Sequence, residues 1–279
     1  MEEEISLKKF EISKIKDDAI VVAIGRRRSG KSYCMKDLLY YKHDFPCGIV
    51  MSSTENANSH YSHFIPPAFV SKSEHFQPRR LENFMRRQFA LTQKKKSNPA
   101  YANMDNRAFF IMDDMMYDSR AWRNDRNIKS IFMNGRHWGI FFILTLQYSL
   151  GIPPDLRENV DYIFIFRQNK LNERKKLHEH WAGFMRYDVF EAILDECTEN
   201  FGCIVIDNTT GSNRLEDQIY YYRAEDHGDF KICPERYWKF SNNHPFNRED
   251  PDDEYEEKHQ KSLRQRGKGA QTQYRIKFE

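Results

Sequence analysis

The sequence has no long apolar run. The longest, around Ile140 to Leu146, falls well short of the about 20 residues that a membrane-spanning helix needs, so no transmembrane segment is expected. The amino terminus opens on acidic residues, Glu2 to Glu4, where a secretory leader would carry a basic region followed by an apolar one. Cysteine is sparse. Cys34, Cys47, Cys197, Cys203 and Cys233 include no CxxC pair, and three of them (Cys34, Cys47 and Cys203) stand inside apolar runs, which suits buried thiols in a reducing compartment better than a zinc site. Charge of one sign is also lacking: Lys+Arg 44 against Asp+Glu 41 leaves +3, so any case for a nucleic-acid partner must rest on local clusters. No internal repeat of solenoid or propeller length is visible. A soluble intracellular protein is expected.

What is present is enough chain, 279 residues, for one large domain or a domain with an appendage. Apolar runs with the length and β-branched or aromatic content of buried strands occur at Ala19–Ile24, Gly48–Met51, Ala108–Met112, Ile140–Leu146, Tyr162–Phe166 and Cys203–Ile206. Between them, helices are expected over Lys31–Tyr41, Leu81–Lys95, Asn124–Asn134, Leu171–Trp181 and Asp188–Cys197. Continuous apolar strands alternating with helices imply an α/β fold, a mostly parallel sheet covered on both faces. A last strand at Ile219–Tyr222 is expected at an edge. Arg248 to Gln273 has almost no aliphatic residues, so the simplest division is one domain over residues 1–240 and a charged, mobile tail over 241–279.

The segment Gly25-Arg26-Arg27-Arg28-Ser29-Gly30-Lys31-Ser32 fits GxxxxGK[ST], and it lies after a strand and before a helix, where a phosphate-binding loop must lie. Glycines let the backbone curl so that N–H groups face phosphate oxygens, and the helix adds the positive end of its dipole. Lys31 is expected to reach the β- and γ-phosphates and Ser32 to ligate magnesium. The nucleotide-binding set is then Gly25, Ser29, Gly30, Lys31, Ser32 and Tyr33. Arg26 to Arg28 could touch nucleotide or a neighbouring subunit, or form a solvated basic loop; no role is assigned to them.

Arg107 to Asp114 reads as an apolar strand ending in two acids, as a Walker B element does, and strand-end carboxylates face the crevice where parallel sheets bind ligands. Asp113 is expected to hold the magnesium shell and Asp114 to polarise the attacking water. Gln147, at the tip of the strand Ile140–Leu146, is placed to sense the γ-phosphate; a plain strand cap is the bland alternative.

Together these residues resemble the FtsK–HerA superfamily of P-loop ATPases, and within it the poxvirus-type genome-packaging ATPases of nucleocytoplasmic large DNA viruses. The likeness covers roughly Ala19 to Arg167 and rests on GRRRSGKS at Gly25–Ser32, FFIMDD at Phe109–Asp114, NGRHWGIFFILTLQ at Asn134–Gln147 and IPPDLRENVDYIFIFR at Ile152–Arg167. It implies a RecA-like core, ATP and Mg2+ as cofactors, a ring of six subunits, and translocation of double-stranded DNA into a preformed capsid. It also implies capsid or inner-membrane virion proteins as partners, in host cytoplasm or virion. Cellular members usually carry Glu after the Walker B Asp; Asp114 stands there in this chain and fits the viral branch.

A ring ATPase usually draws a stabilising arginine from the next subunit. Arg136, Arg157 and Arg167 all lie in the resembling segments, and Arg157 is narrowly preferred to Arg136; a structural ion pair is the alternative for each. His137, His178 and His180 do not share a helix face as metal ligands would. Arg79, Arg80, Arg86, Arg87 and Lys94–Lys96 form the densest basic region, either a contact for DNA phosphates or a solvated helix face. The competing readings are another FtsK–HerA-type translocase or helicase-like motor, and a nucleotide-binding assembly scaffold.

Overall fold

The computed structural model describes residues 6–243. Among them, eight strands form one sheet: β1 Lys8–Lys9, β2 Ile20–Ile24, β3 Gly48–Ser52, β4 Ala108–Asp113, β5 Ile140–Leu146, β6 Tyr162–Phe166, β7 Cys203–Asp207 and β8 Ile219–Tyr222, in the order β1-β8-β7-β6-β2-β5-β4-β3. Every residue of β2 to β6 is buried. These strands read as unbroken apolar runs because helices cover both faces of a central parallel sheet.

The block β3-β4-β5-β2-β6 is parallel throughout, while β7 runs antiparallel to β6 and to β8. β5 lies between β2 and β4, and the pairs Ile24↔Leu146 and Met112↔Leu144 bring the carboxyl ends of all three to one edge. The strand at Ile219–Tyr222 is not the edge: β1 pairs outside it through Lys8↔Tyr220 and Lys9↔Tyr221. Two exposed lysines carry no hydrophobic pattern, so β1 leaves no trace in the sequence.

Successive side chains on a strand face opposite ways, and the sheet sorts its apolar residues accordingly. On one face Val21, Ala23, Phe141, Ile143 and Phe164 pack with Cys34, Met35, Leu38 and Leu39 of α1 (Lys31–Tyr40). On the other, Val22, Ile24, Phe110, Phe142, Leu144 and Ile165 pack with Leu81 and Phe84 of α2 (Pro78–Ser97) and with the helices that follow. The helix expected over Asn124–Asn134 begins two residues later, as α4 (Arg126–Asn134), and a separate helix that the sequence did not announce, α3 (Ser119–Asn124), precedes it. Asp125 divides them: its backbone is extended, and its carboxylate accepts from the N–H of Asn127 at 2.7 Å and of Ile128 at 3.1 Å, capping α4. The remaining long helices are α5 (Leu171–Trp181), α6 (Tyr187–Cys197) and α7 (Glu235–Asn243).

The tail expected over 241–279 lies outside the described residues from 244 onward. Among the described residues no helix is long and apolar enough to cross a membrane.

Candidate phosphate and metal site

β2 ends at Ile24 and the chain turns at once into the glycine loop. Gly25 N donates to Leu146 O at 3.0 Å, tying the loop to β5. A Cβ on Gly25 would lie 2.5 Å from Phe166 Cβ, so the close passage of β6 demands a glycine here. Gly30 has φ +98, the left-handed region, and a Cβ there would meet Phe201 at 3.3 Å. Gly30 offers no side-chain cap to α1, so the first-turn N–H groups face the concavity as anion donors at the positive end of the helix dipole.

Lys31 lies folded into this loop. Its ammonium is buried and donates to Gly25 O at 2.6 Å and Arg26 O at 2.8 Å. Burial pulls its pKa down, Asp114 and Asp113 draw it back up, and Arg27 lowers it further. A phosphate oxygen is a stronger acceptor than a backbone carbonyl, so an arriving nucleotide offers this cation a better partner.

The acids stand one strand over from β5. Asp113 is buried; its Oδ1 accepts from Thr145 Oγ1 at 2.6 Å and its Oδ2 from Ser52 Oγ at 3.4 Å. Burial above all pushes its pKa up, and Asp114 adds to that, while Thr145, His60 and Lys31 oppose it. Asp114 leaves the strand in a left-handed turn, φ 53 and ψ 32, one of the few side chains that tolerates that region. The turn breaks the strict alternation of a strand, so both acids serve one crevice. Thr145 Oγ1 also accepts from Asp114 N at 3.0 Å and so bridges the pair, and Gln147 Nε2 donates to Asp114 Oδ1.

One edge of the sheet therefore gathers Gly25, Ser29, Gly30, Lys31, Ser32, Asp113, Asp114 and Gln147. Tyr33, exposed in the first turn of α1, opens on a cleft of about 880 Å³ that it shares with Lys36, His60, Phe64 and Phe230. Arg136 precedes β5 and Arg157 precedes β6, which places both at the opposite edge from the loop of their own chain. Arg136 lies near Asp161, whose carboxylate accepts from Ile20 N at 2.7 Å; Arg157 is half-buried, and burial lowers its pKa. Arg167, at the end of β6, is on the loop's own edge, lining a pocket with Arg26 and Arg28.

Sequence reasoning missed Thr145, although a lone polar residue in the run Ile140–Leu146 was a visible signal. It also missed Ser52, Glu55, His60 and Tyr61. Glu55 is buried and accepts from Tyr61 N at 3.0 Å and Ser62 N at 2.9 Å, which holds His60 and Tyr61 beside Asp113. Burial lowers the His60 pKa and, with Asp113, raises that of Tyr61. The fit to magnesium is one of donor chemistry. Asp113 and Ser32 supply hard oxygens, and a nucleotide-bound magnesium takes only one or two protein ligands, the phosphates and water filling the rest.

No family model matches the chain. An uncharacterised protein of Acanthamoeba polyphaga mimivirus is 35% identical over 224 residues, 79% of this chain and 78% of its own length. An uncharacterised protein of Invertebrate iridescent virus 6 is 31% identical over 225 residues, 79% of this chain and 83% of its own. Among solved structures, the genome packaging NTPase B204 from Sulfolobus turreted icosahedral virus 2, in complex with sulfate, aligns with a TM-score of 0.54 at 18% identity, covering 76% of this chain and 98% of that one. That is a likeness of fold.

Proposed function

The chain belongs to a family of nucleocytoplasmic large DNA virus proteins with the fold of viral genome-packaging P-loop ATPases, and from that premise we propose that it is an ATP-hydrolysing motor that drives double-stranded DNA into a capsid. The observation that carries hydrolysis is the Gln147–Asp114 hydrogen bond at the phosphate edge, beside Asp113 and joined to it through Thr145. A protein that only held nucleotide would have no use for an oriented acid there.

The chemistry divides among the residues. The loop N–H groups and Lys31 bind the β- and γ-phosphates and orient them. Asp113 and Ser32 would hold a magnesium ion, which would neutralise phosphate charge when bound. Gln147 orients a water whose oxygen attacks the γ-phosphorus as the bond to the bridging oxygen breaks, and Asp114 Oδ takes up the water proton, leaving ADP and phosphate. Electrostatic stabilisation of the transferred group falls to a cation, for which Arg157, Arg136 and Arg167 are candidates. In this reading the chain works as a homo-oligomeric ring on duplex DNA, in host cytoplasm or virion, docked on capsid or inner-membrane proteins.

The test is ATP hydrolysis with and without duplex DNA, with oligomer size recorded in the same sample. DNA-stimulated turnover by a ring supports the motor. ATP binding without turnover, by a monomer indifferent to DNA, would replace it with the scaffold reading.

A further inference from the structure

Beside the glycine loop, on the side of β2 away from the acids, lies a pocket of about 240 Å³ lined by Arg26, Arg28, Ser29, Arg167, Asn200 and Phe201. We propose that it receives the nucleoside end of the nucleotide, with the ring of Phe201 as the platform on which the base stacks. The inference rests on the ATPase reading above and names the residues of that site which hold the base.

Three observations carry it. The first is direction. Asp113, Asp114 and Gln147 fix the γ-phosphate end of any bound nucleotide over β4 and β5, so the nucleoside has the other side of β2 to occupy, where β6 and β7 stand. The segment between α6 and β7 reaches that place because β7 is antiparallel: its first residue, Cys203, pairs with Phe166 at the end of β6, level with the loop.

The second is the conformation of that segment. Asn200 and Phe201 both have left-handed backbones, φ 47 and φ 65, without being glycine. Strain of this kind persists only where the surroundings enforce it, and here they do. Thr198 Oγ1 donates to Leu194 O at 2.6 Å, Arg223 Nε donates to Asn200 O at 3.0 Å, and Gly202 N donates to Glu199 O at 2.8 Å. A Cβ on Gly202 would lie 2.3 Å from Cys197 O, so the turn admits no other residue there. The outcome is an aromatic ring held against Gly30 and 68% exposed to water, a poor use of a phenylalanine unless something covers it.

The third is an unmet polar group. Ser29 is 6% exposed, lines the pocket, and its hydroxyl has no hydrogen-bond partner among the described residues. A buried hydroxyl normally finds one; a ribose or phosphate oxygen would supply it. The arginines around it are donors only, as suits a ligand of acceptors. Stacking on a π-face is indifferent to which base is offered, so GTP should bind by the same platform as ATP.

Three probes test this on the full chain: ADP, inorganic pyrophosphate, and the fluorescent etheno-ADP, whose emission is quenched when its base stacks on an aromatic ring. Removing the platform under one stacked base weakens binding about 5- to 150-fold. Phe201→Ala should therefore weaken ADP by that factor, leave pyrophosphate unchanged and abolish the quench, while Phe201→Tyr restores ADP affinity and the quench. Equal ADP affinity in wild type and Phe201→Ala, or a parallel weakening of pyrophosphate, overturns the stacking role. A wild-type chain that binds neither ADP nor pyrophosphate overturns the ATPase reading itself, and this one with it.

Discussion

Asp113 and Asp114 are neighbours in the chain and chemically unlike. Asp113 is sealed under the sheet edge, where burial disfavours its charge; Asp114 is only half-buried and hydrogen-bonded to the amide of Gln147. On the proposed reading a cation lies beside the first and a water beside the second. Asp114→Asn should keep ATP and magnesium bound while turnover falls about 10²- to 10⁴-fold, whereas Asp113→Asn should impair magnesium dependence as well. Normal turnover by Asp114→Asn in a phosphate-release assay would put the base elsewhere. The raised pKa of Asp113 also has a consequence for stability. Its folded pKa stands above the ordinary 3.8, so its contribution to stability is fully present below that value and is lost as pH rises through the folded pKa. Above that folded pKa the nucleotide-free protein carries an ionised, buried carboxylate. Asp113→Asn should then gain in melting temperature relative to wild type as pH rises through it in the presence of a chelator, and lose that gain on acidification. A difference in melting temperature that does not change with pH would mean that the hydrogen bonds from Thr145 and Ser52 outweigh the burial of charge.

Elements were legible where burial on both sides left an unbroken apolar run. β2, β4, β5 and β6 were read to within a residue, and GxxxxGK[ST] stands, as expected, between a strand and a helix. What escaped depends on tertiary packing. β1 has no apolar residue to announce it, only Lys8 and Lys9, whose backbone pairs with β8 and whose side chains meet Asp217 and Glu225; Asp125 looks helical by neighbourhood and acts as a cap; Asn200 and Phe201 are ordinary letters whose left-handed turn is imposed by Arg223 and Gly202. Composition does not say whether a basic helix touches DNA. α2 turns Leu81, Phe84, Gln88 and Thr92 inward and leaves Arg86, Arg87, Lys94 and Lys96 exposed, with Lys95 half-buried. If these side chains neutralise phosphates, replacing Arg86, Arg87 and Lys94–Lys96 with Ala should weaken binding on every DNA sequence alike. The logarithmic salt slope should flatten by about 0.9 for each phosphate that is no longer neutralised. An unchanged slope would leave the cluster a solvated face, in which Arg86 pairs with Glu82 at 3.4 Å and Lys94 stacks on Tyr101.

At the scale of the whole molecule the sheet has an edge that carries the glycine loop and an opposite edge, and the arginines divide between them. Arg157 precedes all five residues of β6, whose far end is level with the loop. At about 3.3 Å per residue that puts it about 17 Å away from its own phosphate site. Arg136 lies below the seven-residue β5 and is no nearer. Neither can serve its own chain in this fold, so a role for either requires a second subunit whose opposite edge faces this loop edge. Lys31→Ala removes the loop cation and leaves Arg157 to a neighbour; Arg157→Ala keeps the loop and gives its neighbour nothing. Each alone should be inactive. Mixed, with subunit exchange verified by mass spectrometry, they should form some interfaces where an intact loop meets an intact arginine, and hydrolysis should rise above either parent. Exchange without recovery rules out Arg157 as the donated cation, and the mixing is then repeated with Arg136→Ala. Should both fail, the remaining candidate is Arg167, which stands on the loop edge of its own chain beside Arg26 and Arg28 and needs no neighbour. An Arg167→Ala subunit mixed with Lys31→Ala should show no rescue in that case, because every site would then lack either its lysine or its arginine, whichever subunit stood beside it.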